Sequence, residues 1–230
     1  MRIEIWSDIV CPFCTIGKAE LDKALAAFPH ADEVTIVPRS FELQPGGSAV
    51  EPVAEHLAVK YGWSPAQVAA QCDRIDARAA GLGLRYDWRA AIAAPTLDAH
   101  RLVKLAATVG LARKVETALM LAHFSEGRDV SDHGVLAEVA VGAGLDANRV
   151  AEVLASDEYA DAVRADQAEA AALGVRGVPF FVVDGRFGVS GAQSAETFGE
   201  ALARAWSLTH PIVDLGVQGT GPACGPDGCS

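Results

Sequence analysis

The spacing of apolar residues changes twice along the chain, and each change marks a different kind of structure. Alternating apolar and polar residues, several of them β-branched, predict a strand over residues 2–7. Pro12 suits the first turn of a helix that we expect to end near Pro29. Residues 34–37 predict a second strand, which resumes at 41–43 after an intervening proline. This strand–helix–strand order is typical of the βαβ opening of an α/β protein.

Between Gly46 and Gly174 the apolar residues recur at every third or fourth position, which indicates helices. The clearest start is Ser64, which is followed by a proline and then by Gln67, the pattern of a capping box. Further predicted helices begin at or near Thr96, Val115, Asp132, Asp146 and Asp157. We therefore expect an all-helical insertion in the middle of the chain.

Strand signals return in two apolar runs, 178–183 and 187–189. Asp184-Gly185 lies between them and is typical of a hairpin turn. Ser194 is the predicted N-cap of a closing helix.

These patterns predict an α/β fold whose sheet is built from both ends of the chain. Residues 1–46 and 175–208 would form one discontinuous domain, and residues 47–174 the helical insertion. Residues 209–230 are rich in glycine and proline and predict an irregular tail.

Composition and charge narrow the class of partner. Half of the residues are apolar and 21% are charged, so the chain can bury a core and is not generally disordered. A net charge of −11 argues against nucleic acid or an anionic membrane as a partner. No run approaches the ~18 apolar residues of a membrane span, and acidic residues stand where a signal peptide would be apolar. We expect a cytoplasmic protein; its oligomeric state is not predicted.

The cysteines are arranged as two close pairs and a single residue, Cys72. The first pair, Cys11-Pro12-Phe13-Cys14, lies at a strand-to-helix transition, where free N–H groups and the helix dipole favour a thiolate. Cys14, one turn along, could close or release a disulfide with Cys11. A negative charge on Asp8 would raise the pKa of the thiol and so oppose the thiolate, unless the Asp8 side chain points to solvent. Redox chemistry is the favoured interpretation, and a zinc site shared with the tail cysteines is the alternative.

Val178-Pro179 is unusual because a proline opens an otherwise β-branched and aromatic strand. It could begin an edge strand. Alternatively, a cis peptide bond there would press a backbone edge against the cysteine pair.

Other candidate residues have ordinary structural explanations. Cys72 falls on the apolar stripe of a helix and predicts a buried, inert thiol. His100 and His123 could line a cleft, although a hydrogen-bonded structural role is the favoured interpretation for both. Glu42 could carry protons for the cysteines, but a solvated acid at the end of a strand is the favoured interpretation.

Three features follow one another in a fixed order: CPFC after the first strand, a helical insertion, and GVPFF (177–181) at a late strand. Together they resemble the DsbA family of thioredoxin-fold oxidoreductases. Four further segments are similar to its cytoplasmic, FrnE-like branch, namely FELQP, AHRL, GVSGAQ and the CGPDGC ending. The resemblance covers nearly the whole chain.

This resemblance implies a thioredoxin fold interrupted by the insertion, and thiol–disulfide exchange without a diffusible cofactor or metal. It implies Cys11 as the nucleophile and Cys14 as the resolving thiol. The expected substrate groove, with a cis Val178-Pro179 bond, consists of Pro12, Phe13, Val178 and Pro179. The substrate would be a protein or small molecule that carries a thiol or disulfide.

A neighbouring group also resembles this chain, namely 2-hydroxychromene-2-carboxylate isomerase and the kappa-class glutathione transferases. Those enzymes usually have a serine where Cys11 stands, and they use glutathione as a cofactor. A glutathione-dependent isomerase and a zinc- or redox-sensing binding module are therefore kept as alternatives.

The second cysteine pair, Cys224 and Cys229, lies in a segment that cannot form a core. The intervening Gly and Pro residues favour a turn that brings the two sulfurs together at little entropic cost. We hypothesise that this pair is a second redox centre that exchanges with Cys11 and Cys14. A passive surface disulfide or half of a metal site is the alternative.

Overall fold

The computed structural model describes residues 1–47 and 50–210, together with the backbone of 224–225 and 228–229. Its central sheet has the order β2-β1-β5-β6. The strands are β1 (Arg2–Ser7), β2 (Thr35–Ser40), β5 (Phe180–Val183) and β6 (Phe187–Ser190). β1 runs parallel to β2 and antiparallel to β5, so the first strand pairs with a strand from the far end of the chain.

The second strand differs from its prediction. β2 is continuous through Pro38 and ends at Ser40, whereas residues 41–43 form no strand. A proline is tolerated here because β2 is an edge strand and the missing N–H need not face a neighbour. After the strand, the Leu43 N–H turns to the carboxylate of Asp8, 2.8 Å away.

The two faces of β1 pack against different helices because its side chains alternate. Ile3 and Ile5 lie in an apolar cluster with α1 (Pro12–Ala26) and α9 (Ala195–Thr209). Trp6 lies on the other face and donates its indole N–H to the Asp166 carbonyl oxygen at 2.9 Å.

Helices dominate the segment between β2 and β5. They are α2 (Val53–Tyr61), α3 (Pro65–Ala80), α4 (Leu97–Ala107), α5 (Ala112–Glu126), α6 (His133–Gly142), α7 (Ala147–Leu154) and α8 (Ala160–Ala172). The predicted capping box at Ser64 forms, and the side chains of Asp132 and Asp146 cap α6 and α7. The last helix starts at Ala160 rather than at the predicted Asp157.

Two features of this segment were not predicted. Helix α2 has no side-chain N-cap, which removes the usual local signal for its start. The segment is also not purely helical, because β3 (Glu51–Pro52) and β4 (Ile92–Ala93) form a short antiparallel ladder. A pairing of two residues on each side leaves too short a pattern to recognise in the sequence.

Two buried carboxylates join the helical segment to the sheet domain. Glu116 on α5 accepts hydrogen bonds from Ser7 on β1 and from the ammonium group of Lys18 on α1. Asp166 on α8 pairs with Lys104 on α4 and with Arg39 on β2. Burying charges is favourable only when they are paired, so these networks specify how the two parts pack together.

The predicted tail lies largely outside the described residues, as do the side chains of Cys224 and Cys229. Its described backbone forms β7 (Cys224–Gly225) and β8 (Gly228–Cys229), an antiparallel pair in which Cys224 is opposite Cys229. Among the described residues, no helix is both long and apolar enough to cross a membrane.

Replacing the buried acid Glu116 by leucine should lower the free energy of unfolding by about 3–5 kcal/mol, because Lys18 then keeps a buried charge without its partner. The double variant Lys18→Met, Glu116→Leu should recover most of this loss. Urea unfolding of the two variants and of the wild type measures both effects. Glu152→Leu is the control, since its pair with Arg149 is exposed and should contribute little to stability. Equal losses for Glu116→Leu and the control would contradict the assignment.

Candidate active site

Cys11 is the N-cap residue of α1 and follows the end of β1, at the predicted transition. Its side chain makes no capping hydrogen bond, contrary to the expected contact with the first-turn N–H groups. Its thiol instead donates toward the carbonyl oxygen of Val178, with 3.7 Å between Sγ and oxygen. A protonated thiol needs an acceptor, whereas a thiolate would accept from N–H groups.

Cys14 differs from Cys11 in its access to solvent. It is completely buried, and both cysteines are free thiols. Burial raises the pKa of the Cys14 thiol well above its usual range, and the neighbouring Cys11 side chain raises that pKa further. Cys11 is also buried, with 4% of its surface exposed, but it lines the adjacent cavity and Cys14 does not.

Asp8 does not point to solvent, so the condition under which its charge would not oppose a thiolate is not met. Its side chain is buried, with Oδ1 3.2 Å from Nε2 of His100 and Oδ2 accepting the Leu43 N–H. These partners compensate the buried carboxylate for the loss of water. A backbone hydrogen bond from Asp8 lowers the pKa of Cys14, and the charge on the Asp8 side chain opposes this with a smaller rise. His100 has the hydrogen-bonded structural role favoured by its sequence context.

The Val178–Pro179 peptide bond is cis, and its Val178 carbonyl faces the Cys11 sulfur. Gly17 on α1 lies directly beneath this segment. A Cβ atom at Gly17 would be 3.0 Å from Cγ of Pro179 and 3.2 Å from Cζ of Phe181. Glycine thus lets α1 approach the Val178–Pro179 segment closely.

A cavity of about 340 Å³ extends from Cys11 to helices α2 and α3 of the helical segment. Pro12, Phe13 and Val178 of the expected groove line it, whereas Pro179 is buried behind them. Much of its wall is aromatic: Phe13, Tyr61, Trp63, Tyr86, Trp88 and Phe124. The volume and apolar lining are typical of a small-molecule site.

His123 lines this cavity and is not hydrogen-bonded, so the favoured structural interpretation for it is wrong. Its side chain is buried, and neither ring nitrogen has a hydrogen-bond partner among the described residues. Burial lowers its pKa to about 4, against smaller opposing effects of Asp8 and Asp129. The imidazole is therefore neutral at pH 7, with one nitrogen able to donate and the other able to accept.

Tyr86 was missed by the sequence analysis. Its hydroxyl donates to the Pro12 carbonyl oxygen at 3.0 Å, and its ring stacks on Phe124 with centroids 4.7 Å apart. Burial raises the pKa of Tyr86 above its usual value, so it remains a phenol. It lies in an irregular segment after α3, where no periodic pattern could reveal its position.

Two other candidates, Cys72 and Glu42, are buried. Cys72 is buried on α3, as predicted, but it also lines the cavity. Glu42 is not solvated as expected: it is buried and accepts a hydrogen bond from Gln167 at 2.9 Å. Among the residues whose side chains are described, no group of three or more His, Cys, Asp or Glu could hold a metal ion. The zinc hypothesis requires the tail cysteines, and the side chains of Cys224 and Cys229 lie outside the described part of the structure.

A family model for the DSBA-like thioredoxin domain matches residues 2–203. The chain belongs to this family. A crystal structure of a probable DsbA oxidoreductase from Streptomyces coelicolor is 50% identical, with 100% of this chain and 98% of that chain covered and a TM-score of 0.89. This DSBA-like protein is a thiol–disulfide oxidoreductase.

Two more distant structures share the fold of this DSBA-like protein. 2-Hydroxychromene-2-carboxylate isomerase is 14% identical, with a TM-score of 0.68 over 93% of this chain and 100% of that chain. The cytosolic disulfide reductase DsbM from Pseudomonas aeruginosa is 16% identical, with a TM-score of 0.61 over 90% of this chain and 100% of that chain. One fold thus serves proteins with different names and reactions, and the site residues decide the chemistry.

The unpartnered His123 should make stability depend on pH. The unfolded chain binds a proton at this residue near pH 6.5, but the folded protein binds it only near pH 4, so stability falls as the pH is lowered through that window. Between pH 7 and pH 4.5, the wild type should lose about 2–3 kcal/mol more than His123→Phe. Urea unfolding at both pH values measures this difference. Equal pH dependence in the wild type and His123→Phe would refute the assignment.

Proposed function

We propose that this DSBA-like protein catalyses thiol–disulfide exchange with Cys11 as the nucleophile and Cys14 as the resolving thiol. The supporting observation is the unequal access of the pair: Cys11 lines the cavity, whereas Cys14 is buried behind it. Pro12, Phe13, Val178 and Pro179 form the proposed groove for the substrate around Cys11. The resemblance to the FrnE-like branch and the shared fold of a cytosolic disulfide reductase support a cytoplasmic location.

The proposed reaction has two exchange steps. The Cys11 thiolate attacks one sulfur of a substrate disulfide, which forms a mixed disulfide and releases the other sulfur as a thiolate that takes up a proton. The Cys14 thiolate then attacks the Cys11 sulfur, which forms the Cys11–Cys14 disulfide and releases the second substrate thiol. The substrate gains two electrons and two protons, and the cysteine pair loses them. The same steps in reverse oxidise a dithiol substrate.

The environment of Cys14 suits this order of events. In the free protein, burial is the main cause of the raised Cys14 pKa, and the neighbouring Cys11 side chain raises it further. The contribution of Cys11 is removed once its sulfur is part of a mixed disulfide. Cys14 then loses its proton more easily, at the stage when its thiolate is required.

The isomerase alternative has less support from the site. It needs glutathione, a peptide with two carboxylates and an ammonium group, but Lys60 is the one lysine or arginine among the residues that line the cavity. It would be favoured over exchange if the protein isomerised the chromene carboxylate in a glutathione-dependent way and Cys11→Ser retained that activity.

Exchange activity should depend on Cys11 and stop halfway without Cys14. In a Cys224→Ser, Cys229→Ser background, Cys11→Ser should reduce turnover of a peptide disulfide to the uncatalysed rate, because it removes the proposed nucleophile. Cys14→Ser should accumulate a mixed disulfide on Cys11, visible by mass spectrometry of the intact protein. Thermal unfolding by circular dichroism checks that each variant is folded. Full activity of folded Cys11→Ser would disprove the assignment.

We also propose that Cys224 and Cys229 form a second redox pair. The backbone pairing supports this, because residues directly opposite in an antiparallel ladder have Cα separations of about 4.5–5.5 Å, within the range of a disulfide. A disulfide in a short, Gly- and Pro-rich segment is more easily reduced than one in a packed core.

Exchange between the two pairs should be trapped in Cys14→Ser as a disulfide that joins Cys11 to one tail cysteine, because Cys14 can no longer resolve it. Peptide mapping by mass spectrometry without reduction identifies this crosslink. The control Cys11→Ser, Cys14→Ser should lack it. If Cys224–Cys229 is the only crosslink at every protein concentration, the two pairs are independent.

A further inference from the structure

The cavity beside Cys11 has features that thiol–disulfide exchange alone does not require. Exchange needs an accessible sulfur and a backbone edge, which Cys11 and Val178 supply. The cavity instead continues past them to α2 and α3, where Leu57, Tyr61 and Ile75 line it. Its 340 Å³ is within the range of sites that enclose small organic molecules.

The lining favours an aromatic occupant with little charge. Six aromatic side chains form much of the wall. Aromatic rings bind other rings through offset and edge-to-face contacts, so this wall suits an aromatic ligand. The charged residues that line the cavity are Asp8, Lys60 and Asp76. Asp8 already has His100 and the Leu43 N–H as partners, so it offers little attraction to a bound cation.

His123 supplies one point of polar recognition. A buried polar group without a partner costs free energy, and a hydrogen bond from a ligand would remove that cost. The nitrogens of His123 lack such partners among the described side chains and backbone, and its ring lines the cavity. Its lowered pKa keeps it neutral, which suits a neutral hydroxyl or carbonyl better than a carboxylate.

We propose that this cavity binds a small, uncharged aromatic molecule that carries a hydroxyl or carbonyl group, with that group hydrogen-bonded to His123. The aromatic part is the portion of the substrate that presents a thiol or disulfide sulfur to Cys11. This second statement rests on the proposed exchange function; the binding of the aromatic molecule does not.

A ligand pair with and without a hydroxyl tests the site. Equilibrium dialysis measures the affinity of 2-naphthol and of naphthalene for the wild type and for His123→Phe, which preserves an aromatic side chain. His123→Phe should weaken the binding of 2-naphthol about five- to tenfold, the effect of losing one buried hydrogen bond. The affinity for naphthalene should change by less than about twofold. His133→Phe should leave both affinities unchanged.

The location of the bound molecule is tested independently by Cys72, which lines the cavity from α3. Saturating 2-naphthol should slow alkylation of Cys72 by N-ethylmaleimide at least about threefold, as followed by peptide mass spectrometry. Absence of 2-naphthol binding, or equal loss of both ligands in His123→Phe, would overturn the proposal. Binding without protection of Cys72 would place the ligand elsewhere and also overturn it.

The exchange reaction provides the last test. The protein's rates of exchange with neutral 4,4′-dithiodipyridine and with oxidised glutathione are measured. Each rate is divided by the rate at which free dithiothreitol reduces the same disulfide, which corrects for the intrinsic reactivity of that disulfide. The normalised rate should be at least about tenfold higher for the aromatic disulfide, and 2-naphthol should inhibit it. A preference for oxidised glutathione would overturn the substrate class. If Cys11→Ser binds 2-naphthol normally but retains exchange, the proposed function fails while the binding site stands.

Discussion

The antiparallel pairing of β1 with β5 determines where the reactive groups meet. Trp6 is opposite Phe180 in this register, so residues that follow β1 lie beside residues that precede β5. Cys11 comes after β1 and Val178 comes before β5, and the pairing of these two strands places the Cys11 sulfur against the Val178 carbonyl. These two residues are distant in sequence, and the site does not exist until both ends of the chain have joined the sheet.

The parallel pairing of β1 with β2 and its antiparallel pairing with β5 make the helical segment leave and re-enter the sheet domain at the end of β1 that precedes Cys11. Buried ion pairs then connect the two parts: Glu116 with Lys18 on one side, and Asp166 with Arg39 and Lys104 on the other. An unpaired charge in these positions would be strongly unfavourable, so alternative arrangements of the helices are disfavoured. The apolar cluster of the helical segment includes Cys11 and Cys14 themselves. Docking of these helices therefore causes the burial that raises the Cys14 pKa.

The buried ionisable groups around the site are compensated to different degrees. Asp8 has two partners and remains a well-satisfied carboxylate, whereas His123 has none among the described residues. Departures from complete hydrogen bonding are expected mainly where a protein binds or reacts with something else. The cavity that His123 lines also contains Cys11, which connects this departure to the exchange chemistry.

Local signals in the sequence determined much of the fold. Ser64 and Gln67 form their capping box, Asp132, Asp146 and Ser194 cap helices, and Cys11 begins α1. Each of these features depends on hydrogen bonds or steric preferences within a few residues, so the order of the residues is sufficient to predict it. The extension of β2 through Pro38 was less predictable, because it depends on the edge position of that strand in the sheet.

Only the tertiary structure decided the character of the site. Glu42 was expected in solvent, but both Glu42 and Asp8 are buried, with Gln167 and His100 from distant segments as hydrogen-bond partners. Tyr86 and His123 line the cavity beside Cys11 from an irregular segment and from α5, and neither position follows from a local pattern. Burial and the hydrogen-bond partners of a side chain are properties of packing between distant segments. The sequence could therefore identify the reactive cysteines, but packing determined which of them is accessible and what surrounds it.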